Sequence, residues 1–132
     1  MKIDTDELAT RLAENCPEIV FALLHGSAAH GSAGSKSDVD LALYLNHPPS
    51  FDLYQRVSAV VEQLVPHAEP DIGVLNDADV VYRFEALKGK LLFARDPETY
   101  ASFYSLTYRQ YEHQMASYKR QRLYRAASGE RT

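Results

Sequence analysis

Residues 23–45 read LLHGSAAHGSAGSKSDVDLALYL, and the fold turns on how this stretch is read. Before the glycines lies Ile19 to Leu24, a short, continuous apolar run rich in branched residues, as expected of a buried strand. After them Asp38 to Leu45 forms a second strand, closed by Pro48-Pro49. Between the two, residues 26–38 are built almost wholly of Gly, Ser and Ala. Residues two apart on a strand point the same way, so Asp38 and Asp40 project from one face while Val39 and Leu41 turn to the core. Two adjacent carboxylates repel, and burying them is costly unless a cation neutralises the pair. Magnesium suits such a pair: it is hard, takes oxygen ligands, and binds through one or two carboxylates together with substrate phosphates.

The Gly26-Ser27 pair falls where the first strand ends. Gly26 permits close backbone approach to a phosphate, and the Ser27 hydroxyl and amide can donate to it. A short helix opening at Ala28, Ala29 and His30 would add favourable N-terminal amides. A phosphate cradle and a metal pair at the ends of neighbouring strands are what phosphoryl chemistry requires. A third carboxylate is expected on a strand from Glu69 to Leu75. Asp71 is preferred as general base or metal ligand because it lies nearer the strand centre, with Glu69, of the same parity, as the alternative.

Working outward, residues 5–15 have helical spacing, with Thr5 as cap, Leu8 and Leu12 on one face and Pro17 ending the helix. Phe51 to Val65 repeats the pattern through Leu53, Val57, Val60, Val61 and Leu64. Residues 77–88 read as a helix capped by Asn76 or Asp77, and Lys90 to Ala94 as a short edge strand. From Pro97, well placed at a helix start, a long helix is expected to about Arg125. The fold class is therefore α+β, a mixed three- to four-stranded sheet with flanking helices and a long C-terminal helix. One domain over 1–125 and a flexible tail over 126–132 are expected.

The chain has 132 residues and a formal net charge of −4. Residues 1–99 hold 8 Lys/Arg against 16 Asp/Glu, net −8, whereas residues 100–132 hold 6 against 2, net +4. An acidic body argues against direct nucleic-acid binding, which needs a basic face to displace counterions. Cys16 is the single cysteine, so an intramolecular disulfide and a Cys-rich zinc site are excluded. The five histidines show no metal-ligand spacing. His30 lies inside the cradle and His25 is expected to pack beside it. Charges interrupt the first sixteen residues too often for a signal peptide or a membrane span, and a cytoplasmic protein is expected.

The segment 23–45, with its Gly-Ser pair, ten intervening residues and Asp-x-Asp, resembles the signature of the DNA polymerase β-like nucleotidyltransferases. The brevity of the chain, and the helix after the third-carboxylate strand, resemble the minimal nucleotidyltransferase (MNT) group, in particular MntA-type antitoxins of HEPN/MNT pairs. The resemblance implies a small polymerase β-like nucleotidyltransferase domain, ATP as donor and two Mg2+ ions. It also implies transfer of AMP to a tyrosine of a HEPN-domain ribonuclease toxin (HepT-like). Carried onto this chain, Gly26 and Ser27 match the phosphate-binding pair, Asp38 and Asp40 the metal ligands, and Asp71 the third catalytic and metal-binding carboxylate. Many relatives carry two arginines in the Gly-Ser turn, where this chain has Ala28 and His30. Two other readings stand beside it: an antitoxin acting by occlusion alone, and a nucleotidyltransferase acting on a small molecule.

Six of the nine tyrosines fall in residues 100–124. Tyr104, Tyr108, Tyr111, Met115 and Tyr118 form one helix stripe, suited either to the domain's own core or to a partner. Arg120, Arg122 and Arg125 lie beyond it. Arg109 and His113 approach the R-x4-6-H pattern of HEPN ribonucleases, but only three residues intervene, so the chain resembles the antitoxin half.

Overall fold

A computed structural model describes residues 3–26 and 38–128. The elements run α1 (Thr5–Asn15), β1 (Ile19–His25), β2 (Asp38–Leu45), α2 (Phe51–Leu64), β3 (Glu69–Val74), α3 (Val80–Leu87), β4 (Lys90–Ala94) and α4 (Pro97–Ser128). The strands form one sheet in the order β3-β2-β1-β4, so β4 lies at an edge as expected. Strand β1 runs antiparallel to β2 and β4, and β2 runs parallel to β3. A parallel pair needs a crossover, and α2 supplies it. The α+β class with a mixed sheet is what the sequence predicts.

Helices cover both faces, which is why β1, second from the edge, is apolar without alternation. On one face Ala22, Leu24, Val39, Leu41 and Leu43 cluster with Leu8 and Leu12 of α1 and Leu53, Val57 and Val61 of α2. On the other, Phe21, Leu23 and Ala42 cluster with Ala86 and Leu87 of α3 and Phe103 of α4. Each fully buried Leu, Val or Phe contributes about 1.5–3 kcal/mol relative to exposure. Among the described residues no helix is long and apolar enough to cross a membrane.

Two helix starts differ from the sequence reading. Asp4, not Thr5, caps α1, its carboxylate accepting from the Glu7 amide at 3.1 Å. Helix α3 begins at Val80 under Asp79, which accepts from the Tyr82 amide at 2.9 Å. Asn76 is engaged elsewhere: its side chain accepts from the Leu45 amide at 3.0 Å and donates to the Leu45 carbonyl at 2.8 Å, tying β2 to the end of β3.

Helix α4 has 32 residues, a rod of about 48 Å at 1.5 Å per residue. It docks through buried Phe103 and Thr107, one position away from the predicted stripe. Tyr108 meets Phe84 of α3 edge-on at 4.9 Å and Tyr111 stacks on the same ring at 3.7 Å. Tyr104 and Tyr118 are 38% and 50% exposed. The stripe is thus split, with its middle in the domain and its ends in solvent. From Tyr118 onward every described residue of α4 is exposed, and the helix continues past Arg125 to Ser128. Residues 129–132 lie outside the described residues.

Candidate active site

The end of β1 and the start of β2 meet at one end of the sheet, because the two strands are antiparallel and joined there by the Gly/Ser segment. His25 is paired with Asp40, and Asp40 with Asp71, so one row crosses three adjacent strands. Asp38 and Glu69 are paired in the next row outward. By strand alternation His25, Asp40 and Asp71 share the α3/α4 face with Leu23 and Ala42, while Val39 and Leu41 are buried on the opposite face. The apolar sheet centre holds the row in place, and the row opens to solvent: Asp40 is half-buried and Asp71 exposed. Ser27 and the Asp38 side chain lie outside the described residues.

Gly26 is constrained twice. Its φ is +74°, in the left-handed region that glycine enters without strain, and a Cβ there would collide with the Asp40 carboxylate. The turn backbone therefore lies directly against a candidate metal ligand.

One further side chain reaches the row. Tyr82 of α3 lays its hydroxyl end against Gly73, where any Cβ would strike the phenol. Its oxygen is 3.4 Å from His25 Nε2, and the two rings meet edge-on at 5.8 Å. Burial, then the negative charges of Asp71 and Asp40, push the Tyr82 phenol above its usual range, so both carboxylates act on this hydroxyl. The sequence reading passes over Tyr82. Its signal is indirect: a glycine inside a strand, at the parity of a candidate catalytic Asp, marks close approach by another group.

Among the described residues no three His, Cys, Asp or Glu groups converge as a metal site. The pair in register is Asp40–Asp71, and Asp38 lies two residues before Asp40 on the same strand. Two paired carboxylates beside a glycine that admits backbone fit a magnesium ion shared with a polyphosphate, which needs few protein ligands. A cavity of about 730 Å³ lies elsewhere, lined by Val80, Leu106, Arg109, His113 and Tyr118 between α3 and α4.

The family described as Polymerase beta, Nucleotidyltransferase matches residues 7–98, which takes in every element from β1 to β4. The chain belongs to the polymerase β nucleotidyltransferase family. No protein of curated function matches it in sequence. Among solved structures, this nucleotidyltransferase is similar to a chain of a toxin–antitoxin complex with AMP-PNP, at 19% identity, TM-score 0.71, and 96% and 99% coverage of the two chains. A chain of the toxin–antitoxin MntA–HepT is similar at 18% identity and TM-score 0.64, with 94% and 96% covered. So is one from a tri-AMPylated Shewanella oneidensis HEPN toxin in complex with MNT antitoxin, at 18% identity, TM-score 0.64, and 94% and 95% covered. At these identities the likeness establishes a shared fold over nearly the whole chain.

Proposed function

We propose that this nucleotidyltransferase moves AMP from ATP onto a tyrosine hydroxyl of a HEPN-domain ribonuclease and so neutralises it as an antitoxin. The observation that carries the reading is the in-register pair Asp40–Asp71 beside Gly26, in a chain of this family. Its similarity to chains from complexes containing AMP-PNP and a tri-AMPylated HEPN toxin supports the choice of donor and acceptor.

In this reading Gly26 and Ser27 receive the phosphates through backbone amides and the Ser27 hydroxyl. Asp38, Asp40 and Asp71 would hold magnesium, which when bound supplies positive charge to the polyphosphate. Asp71 takes the proton of the acceptor tyrosine as its oxygen bonds to the α-phosphorus; the bond from that phosphorus to the leaving pyrophosphate breaks.

The test separates catalysis from occlusion, the reading that the exposed end of α4 favours. Purified chain, its HEPN partner and Mg-ATP are incubated and separated, and the partner's mass and ribonuclease activity are measured. The expected result is a partner heavier by whole AMP units that stays inactive after separation, and no added mass when Asp38 and Asp40 are both replaced by Asn. Recovery of full ribonuclease activity with no added mass would overturn the enzyme reading and leave an occluder.

A further inference from the structure

We infer that Tyr82 and His25 form a positioning pair for the carboxylate row, with the Tyr82 hydroxyl, seated on Gly73 beside His25, as the group through which α3 orients Asp71 and Asp40. The inference rests on the proposed nucleotidyl transfer at that row, and it assigns work to two residues outside the family's Gly-Ser and Asp-x-Asp pattern.

Three independent features place the hydroxyl. Tyr82 sits in the first turn of α3, where Asp79 fixes the backbone by accepting from its amide at 2.9 Å. Gly73 leaves the sheet surface bare at the one position where the phenol must enter. His25 closes the far side at 3.4 Å, itself held by its strand pairing with Asp40 and by Gly89, whose missing Cβ leaves room for the His25 side chain. Both side chains bring a polar atom to within 3.4 Å of the other. When Nε2–H donates to the oxygen, the phenol proton is left to turn toward the row, where the negative charges of Asp71 and Asp40 bear on the hydroxyl. Carboxylates fixed in this way lose less orientational freedom when they close on a cation, and groups that orient metal ligands typically change metal affinity or activity by about 10–100-fold.

The decisive variant is Tyr82→Phe, which keeps the ring against Gly73 and removes one oxygen. Mn2+ serves as the probe in the nucleotide-free chain, its binding followed by electron paramagnetic resonance, with no partner or turnover involved. We expect unchanged thermal unfolding, Mn2+ affinity weakened about tenfold, and, in the transfer assay, kcat reduced about tenfold with KM for ATP kept. His25→Gln, which retains a donor in place of Nε2, should keep most of the wild-type affinity, whereas His25→Phe should match Tyr82→Phe. Wild-type Mn2+ affinity in both Tyr82→Phe and His25→Phe would overturn the inference. So would an equal loss in His25→Gln and His25→Phe, or a Tyr82→Phe loss that tracks a lowered Tm. A wild-type chain that binds Mn2+ but transfers no AMP would defeat the proposed function alone, leaving the pair to be judged by the metal titration. A wild-type chain that binds no Mn2+ would defeat both.

Discussion

Asp71 and Glu69 have the same parity on β3 and differ in their partners across the sheet. Asp71 is paired with Asp40 beside Gly26, whereas Glu69 is paired with Asp38 one row nearer the sheet's end. A group that receives the acceptor's proton acts mainly in the transition state, so its loss falls on kcat more than on nucleotide binding. Asp71→Asn is therefore expected to lower kcat by about 10²–10⁴-fold, with ATP affinity, measured calorimetrically, close to wild type. Lost affinity at unchanged kcat would move the assignment to Glu69. The shared face of Asp40 and Asp71 and the left-handed backbone of Gly26 are legible in sequence because strand parity and the conformational freedom of glycine are local properties. Tyr82 is not, since its hydroxyl reaches the row only through the way α3 lies over Gly73, and the strand glycine marks that something approaches without naming which residue.

Arg56 joins three elements from its place on α2. It donates to the Asn15 carbonyl at the end of α1 at 2.8 Å, to Asp52 one turn earlier at 2.9 Å, and to Glu18 before β1 at 3.0 Å through Nη1. The hydrogen bonding from Arg56 is the leading cause that holds the Glu18 carboxyl down from 4.5 to about 2. The sign follows from linkage. Above 4.5 the carboxylate is charged in folded and unfolded chains alike and its stabilisation is complete; as pH falls toward 2 the unfolded chain binds the proton first and the stabilisation is lost. Glu18→Gln should accordingly flatten the acid limb of a stability–pH curve between those values, read by urea melts at successive pH. A wild-type slope in the variant would show that other carboxylates set the limb. Elements were legible where the apolar period was unambiguous, as in α1, α2 and all four strands. They blurred where several residues could serve the same role. Asn76, Asp77 and Asp79 are all good caps, and the long-range bonds of Asn76 to Leu45 remove it from contention. On α4 two adjacent seams compete, and the one through Phe103 and Thr107 is buried.

Across the whole molecule charge and shape are distributed alike: the acidic body is compact and the basic segment is the exposed rod of α4. Under the proposed function, rim charges govern encounter while aromatic anchors govern residence. Reversing Arg120, Arg122 and Arg125 to Glu should slow association with the HEPN partner severalfold at low salt. The difference should shrink as ionic strength shortens the Debye length to about 8 Å, with dissociation little changed. Stopped-flow association at two salt concentrations checks this, and an unaltered rate would place the partner on another face. The parallel pairing of β2 with β3 carries a consequence in time. His25 and Asp40 can come together through a local hairpin, but Asp71 joins them only after α2 has crossed the sheet, a non-local closure that forms slowly relative to neighbouring contacts. Under the proposed function, a chain newly leaving the ribosome therefore holds an incomplete row until β3 docks, and competence to transfer AMP arrives only as folding is completed.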